Sequence, residues 1–277
     1  MKYCPNAIPS TAEERDCCIE NKDELSQTCM DAIPLLPRLY ASEMNIIYTL
    51  MGLADKVAKE KGASLFLGAG SLIGSVLHHD IIPWDDDVDL LILKEGSEAW
   101  YRGMKEEAIR NPDIEILLID EKLCPSCRAH WFGQAFKLGL KSLPRSGIRP
   151  WGFPSIDIMI VDIHSSSGVV YETSKPDAEC CSFPSKFLYP LVKRPFGPLS
   201  LNSPKHAMQI LKDRYGESFQ VKVLPAHYDH RNEKANGRDN QVFTRGNELH
   251  DKLLESTHFV TKEDTQNPRF TYEHLSS

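Results

Sequence analysis

The chain has 277 residues, of which 41% are hydrophobic and 26% charged, with a formal net charge of −7. That length can bury a real core, in one large domain or two small ones. The acidic balance argues against a nucleic-acid partner held on a basic surface. No apolar run reaches the roughly 18 residues needed to cross a bilayer.

In chain order, residues 1–35 form a polar, charged head that carries Cys4, Cys17, Cys18 and Cys29. Charges and Pro stand where a signal peptide would have its apolar segment, so no secretion signal is visible. Cys124 with Cys127 and Cys180 with Cys181 make two further close pairs. An even number of cysteines with adjacent spacing reads as disulfide stapling in an oxidising compartment. The competing readings are zinc, shared between those two pairs, and free thiols.

From Glu43 to Lys61 apolar residues recur at helical spacing (Ile46, Ile47, Leu50, Leu53, Val57) and predict an amphipathic helix. "ASLFLGAGS" reads as a short buried strand ending in Gly, followed by a short helix "LIGSVLHH". "VDLLIL" is a second strand. "SEAWYRGMKEEAIR" is helical, with Ser97 as its expected cap. "IEILLID", "AHWFGQAFKLGL" and "IDIMIVDIH" read as strands, with a loop rich in Pro and Gly before the last. "SPKHAMQILKDRYG" predicts a helix capped by Ser203, with Pro204 first and Gly216 at its end. Beyond residue 224 the chain turns polar and irregular. The sum is an α/β chain of mixed strands and helices, organised as a head (1–35), a main domain (36–224) and a polar tail (225–277).

The chemistry concentrates in "HHDIIPWDDDVDLLIL", where four carboxylates precede an aliphatic strand. Asp87 and Asp89 are two residues apart, so on a strand both point to one face. Two carboxylates that close repel each other, and a shared Mg²⁺ or Mn²⁺ relieves the repulsion. Asp85 and Asp86 lie just upstream, as outer or surface groups. Gly70-Ser71 opens the short helix, where free backbone N–H groups can hold a phosphate. Asp157, within "SIDIMIVD", is a third acid on a later strand. A Gly-Ser helix start, an Asp-x-Asp strand and a distant acid in that order suit metal-assisted phosphoryl transfer.

The string "GAGSLIGSVLHHDIIPWDDDVDLLI" resembles the signature of the LicD/fukutin family. "FKLGL", "SIDIMIVD" and "FGPLSLNSPKHAMQILKDRYGESF" are weaker echoes, and the likeness spans residues 43–219. The resemblance implies a nucleotidyltransferase-like mixed β-sheet flanked by helices, in a catalytic domain covering 36–224. It implies transfer of a phospho-alcohol, phosphocholine or ribitol phosphate in type, from a CDP-activated donor to a glycan or sugar-phosphate acceptor. Asp87 and Asp89 would then be metal ligands, and Asp157 a third ligand or general base. Gly70-Ser71 would cradle the donor phosphate, with Lys137 and His79 as phosphate-neutralising groups. Pro83 and Trp84 would shape the turn that aims the acids. A Golgi or ER lumen, or secretion, follows from the family and the cysteines.

One position departs from the signature. The family has Arg before its His, and here Leu77 precedes His78 and His79. Leu cannot replace a bidentate phosphate clamp, which leaves His79, Arg145 or Arg149 to compensate. The same departure raises the alternative of a catalytically inactive relative that binds a glycan or partner. A nucleotidyltransferase consuming a nucleoside triphosphate is a third reading.

Overall fold

A computed structural model describes residues 12–20, 37–127, 133–174, 182–220, 222–223, 228–235 and 243–244. The first described helix, α1 (Ala12–Glu20), is followed by α2 (Ala41–Lys61), β1 (Leu65–Leu67), α3 (Ala69–Leu77) and β2 (Val88–Leu93). Next come α4 (Lys94–Arg110), β3 (Ile114–Leu118), β4 (Ala135–Leu140), β5 (Ile156–Ile163) and β6 (Val169–Glu172). The described remainder holds β7 (Phe183–Pro184), β8 (Val192–Phe196), β9 (Leu199–Ser203), α5 (Ala207–Tyr215) and four two-residue strands, of which β11 (Tyr228–Asp229) and β12 (Lys234–Ala235) pair.

The main sheet runs β1-β2-β5-β4-β3 and extends from β5 through β6 to β7. Among the described residues only β2 and β5 are parallel; β1–β2, β5–β4 and β4–β3 are antiparallel. The architecture is the expected α+β one, a mixed sheet flanked by helices. α2 and α4 pack on each other and on the sheet, because each presents an apolar stripe: Ile47, Leu50, Met51, Ala54 and Val57 on α2, Trp100 and Met104 on α4. Trp100 is fully buried and donates its indole N–H to the Ala54 carbonyl at 3.1 Å, so its one polar atom is satisfied.

Register places the chemistry. Asp89 on β2 lies opposite Asp157 on β5, and Asp157 opposite Lys137 on β4. Partners in register share a sheet face, so three charged residues form one row across three central strands. Around the two acids the strands bury alternate residues, Val88 and Leu90 on β2, Ile156 and Ile158 on β5.

Two cap expectations are corrected. Ser97 does not cap a helix start; its hydroxyl donates to the Lys94 carbonyl, and the chain kinks just before it at Glu95 and Gly96 (φ +91°), where Gly96 passes close to Ala63. Ser203 lies in β9 and α5 starts at Ala207, because residues 192–203 form an antiparallel hairpin turning on Gly197 (φ +54°). That hairpin and β6 were not read from the sequence. Gly216 ends α5 as expected, its N–H reaching Lys212. Part of the strand read from "AHWFGQAFKLGL" lies outside the described residues, and β4 begins at Ala135.

Gly74 shows how tightly the motif helix is held. A Cβ there would stand 2.3 Å from the Asp80 carbonyl oxygen, and that atom is backbone and cannot swing away. Gly74→Ala is expected to destabilise the fold by about 2–3 kcal/mol, read as a Tm lower by roughly 4–10 °C in thermal denaturation.

Candidate metal-binding active site

β1 is followed at once by Gly68, whose N–H bonds the Asp89 carbonyl at 3.2 Å. Ala69 follows with φ +40°, a costly region for a residue with a Cβ, and the chain turns at once into α3. This turn carries Gly70 and Ser71 to the start of β2. The Ser71 hydroxyl accepts the Asp89 N–H at 2.9 Å, so it is engaged in aligning the acid strand. Any phosphate contact here therefore falls to the backbone N–H groups at the helix start. At Gly70 a Cβ would lie 3.1 Å from Asp85 Oδ2, so the missing side chain leaves room for that carboxylate.

The structure brings the three predicted acids together. Asp87, Asp89 and Asp157 each offer a carboxylate oxygen, all within 4.8 Å of one another. Asp87 keeps 19% and Asp157 17% of its side chain exposed, so the cluster opens to solvent. Burial, followed by the fields of its neighbours, pushes Asp87 well above the usual carboxylate range, with Asp85 the strongest of those neighbours. Asp89 is raised likewise, by burial first and then by Asp87 and Asp157. Asp85 is pushed up to about 6, mainly by burial. Crowded hard oxygen donors whose charge is costly are a donor set suited to a divalent cation, so these residues fit the metal that the motif implies.

Lys137 sits beside the acids, as its register requires. Its ammonium is 2.7 Å from Asp157 Oδ1 and lies over the Trp151 ring at 4.9 Å. Burial works to lower its pKa, but Asp157 outweighs that and holds it above the ordinary value. His79 is directed elsewhere: its Nδ1 pairs with the Ser75 carbonyl at 3.0 Å, and its own carbonyl accepts the Gly197 N–H. Leu77 packs against the core. Arg145 pairs with Glu115, and Arg149 with Glu233 and the sulfurs of Cys124 and Cys127. Trp84 is buried edge-on to His78, and the Pro83 carbonyl accepts the Arg38 N–H, as expected of residues that shape the turn.

Asp86 is not a surface group. It is 3% exposed, and Arg38 Nη2 approaches its Oδ2 at 2.9 Å. Its carboxylate also faces the His230 N–H at 3.3 Å and His230 Nδ1 at 3.1 Å. The other ring nitrogen of His230 stands 3.4 Å from Asp87 Oδ2. Burial works against a charge on His230, but the Asp86 hydrogen bond and the Asp87 field outweigh it, pushing the pKa up to about 9. Sequence reasoning missed Arg38 and His230. The available signal was the turn pair Asp229 and Asn232 in "YDHRNE", where the Asn232 amide and side chain both donate to Asp229.

Cys124 and Cys127 are joined in a disulfide, in line with the first reading of the cysteines. Cys17 and Cys18 fall on α1, while Cys4, Cys29, Cys180 and Cys181 lie outside the described residues. No described helix is long and apolar enough to cross a membrane.

Known proteins are similar to this chain in sequence. Residues 62–206 match the family described as LicD/FKTN/FKRP, nucleotidyltransferase domain, which is just over half of the chain. The chain is similar to the ribitol 5-phosphate transferase FKRP of Mus musculus and to that of Homo sapiens, at 29% identity over 163 residues in each case. The aligned part covers 58% of this chain and 29% of each relative, so the chain spans under a third of their length. The chain thus belongs to the LicD/FKTN/FKRP family.

Proposed function

We propose that this chain transfers a phospho-alcohol from a CDP-activated donor to a hydroxyl of a glycan or sugar phosphate, with Mg²⁺ or Mn²⁺ held by Asp87, Asp89 and Asp157. The observation that carries the reading is the convergence of those carboxylates across β2 and β5, beside the start of α3, in a chain of this family. Such an ion would offset phosphate charge and polarise the transferring group. Lys137 fixes Asp157, Ser71 fixes the Asp89 backbone, and the N–H groups of residues 70 and 71 point their partial positive charge at the incoming phosphates. The acceptor oxygen forms a bond to the phosphorus that carries the alcohol, and the bond from that phosphorus to CMP breaks. The hydroxyl proton passes to a cluster carboxylate; Asp85, held near 6, is suited to accept one at neutral pH. A lumenal or extracellular site of action agrees with the Cys124–Cys127 disulfide.

The test is CMP release from CDP-ribitol and CDP-choline with Mn²⁺ present. Release that depends on the ion supports the reading. Pyrophosphate release from a nucleoside triphosphate, or no turnover together with no CDP binding, would replace it with one of the other two readings. Metal binding itself has a separate readout. Mn²⁺ at 100 times its Kd is expected to stabilise the fold by about 2.7 kcal/mol, a Tm rise of roughly 5–10 °C, and magnesium-free, EDTA-treated protein should show none of it.

A further inference from the structure

The two ends of the Cys124–Cys127 disulfide are unequal. Cys124 is 2% exposed and packs with Ile119, Ala135 and Trp151. Cys127 is half-buried, and Pro125 and Ser126 between the two are exposed, so a reagent arriving from solvent meets the Cys127 end. We propose that this pair is a thiol–disulfide exchange site whose substrate is a dithiol, which attacks Cys127 while Cys124 leaves toward Arg149.

Arg149 is what sets this pair apart from a plain staple. Its Nη1 donates to the Ser126 hydroxyl at 3.0 Å and approaches Cys124 Sγ at 3.3 Å, nearer than Cys127 Sγ at 3.7 Å. The guanidinium is held there from its other side, by Glu233 on Nε at 3.4 Å and by the Trp151 ring 5.7 Å away. Sulfur in a disulfide is a weak acceptor, so a charged N–H aimed at it gains little. A thiolate in the same place gains a full opposite charge, and a neighbouring Arg is what stabilises one. The arrangement therefore favours the state in which Cys124 has left. In the forward step an incoming thiolate bonds to Cys127 Sγ, the Cys124–Cys127 bond breaks, and its electron pair stays on Cys124 Sγ beside Arg149. The second thiol of the dithiol then attacks its own partner sulfur in the mixed disulfide, which releases Cys127. Two electrons pass to the chain and the dithiol becomes a disulfide; of its two protons, one goes to Cys127 and one to solvent. The turn does not depend on the bond that breaks. Cys124 N–H donates to the Asp120 carbonyl at 3.0 Å, Leu123 N–H to Asp120 Oδ1 at 2.6 Å, and Cys127 N–H to the Cys124 carbonyl at 2.9 Å. These bonds keep the two sulfurs close, so the exchange runs in both directions.

The experiment follows reduction of the full chain by dithiothreitol at pH 7, with alkylation at intervals and the tryptic peptide 123–128 read by mass spectrometry. A leaving thiol of lowered pKa departs faster, so native wild type should be reduced about 10-fold faster than the same bond in the urea-unfolded chain. Arg149→Gln should lose about that factor in the native state. The sign separates this role from a structural one: were Arg149 only a brace of the turn, removing it would expose the disulfide and speed its reduction. An Arg149→Gln rate equal to or above that of wild type overturns the proposal, as does native wild type that is reduced more slowly than the unfolded chain. Should Arg149→Gln not fold, the comparison of native with unfolded wild type decides alone. Neither nucleotide nor metal enters the assay, so its outcome is independent of CMP release.

Discussion

Asp89→Asn is expected to lower CMP release by a factor of about 10²–10³, the scale of a removed charge-stabilising group in a transition state, while raising the Tm of the metal-free protein. The two effects have one cause. Asp89 is buried among Asp87 and Asp157, and its charge is held there against its preference, which is why its pKa is raised. A carboxylate raised in the folded state contributes stability below its unfolded pKa and loses it as pH rises through the folded value. Asp85 at about 6, with Asp87 and Asp89 above their ordinary range, therefore makes the metal-free protein lose stability as pH climbs above about 4, the unfolded carboxylate value. His230 adds the same sign, because a His raised to about 9 stabilises below its unfolded pKa and stops doing so as pH passes 9. Asn in place of Asp89 removes one charge from the cluster, a gain of about 1–2 kcal/mol and roughly 2–8 °C at pH 7. Thermal denaturation with EDTA from pH 5 to 9 checks it: the wild type should fall with pH, and the variant should fall less. Added Mn²⁺ should raise the wild type above the variant. A variant Tm below wild type in EDTA would mean that the acids are not in mutual repulsion.

Much of this site was legible because its determinants are local. The period of two in "DVDLL" puts Asp87 and Asp89 on one face whatever surrounds them, and the structure does bring both to one cluster. Asp157 could be named as a strand acid from its own stretch, but its place beside Asp87 and Asp89 came only through the family resemblance: that it faces Asp89 follows from β2 pairing β5 in parallel, a long-range choice. His230 was invisible for a stronger reason. Its strands are two residues each, too short for any periodicity, and the hairpin is held in place by Arg38, Glu43, Arg149 and Trp151, which are far away in sequence. Asp86 was left between an outer position behind the ligands and the surface because nothing in "WDDDVD" tells that Arg38 and His230 converge on it. The Ser203 cap failed because the hairpin at residues 192–203 claims that serine, and its strand residues include Lys, Arg, Pro and Ser rather than a clean alternation.

Arg38→Ala should be the most damaging single change outside the apolar core. Arg38 is 11% and Asp86 3% exposed in their side chains, and the guanidinium also holds the Tyr228 carbonyl at 2.9 Å. Removing it strands a buried carboxylate against the His230 ring and N–H alone. Breaking a buried pair from one side costs about 3–5 kcal/mol; with His230 remaining, the lower end applies, near 3 kcal/mol, or a Tm lower by roughly 6–12 °C. Arg38→Lys should recover little, because one ammonium cannot reproduce the fork that reaches Asp86 and Tyr228 together. Adding Asp86→Asn to Arg38→Ala should recover much of the loss, since the stranded charge is what costs, and the double variant is then more stable than the sum of the singles. Only the Tyr228 contact is then still missing from the double variant, and thermal denaturation of all four proteins checks the cycle; a double variant no more stable than Arg38→Ala would mean that the stranded carboxylate is not what costs.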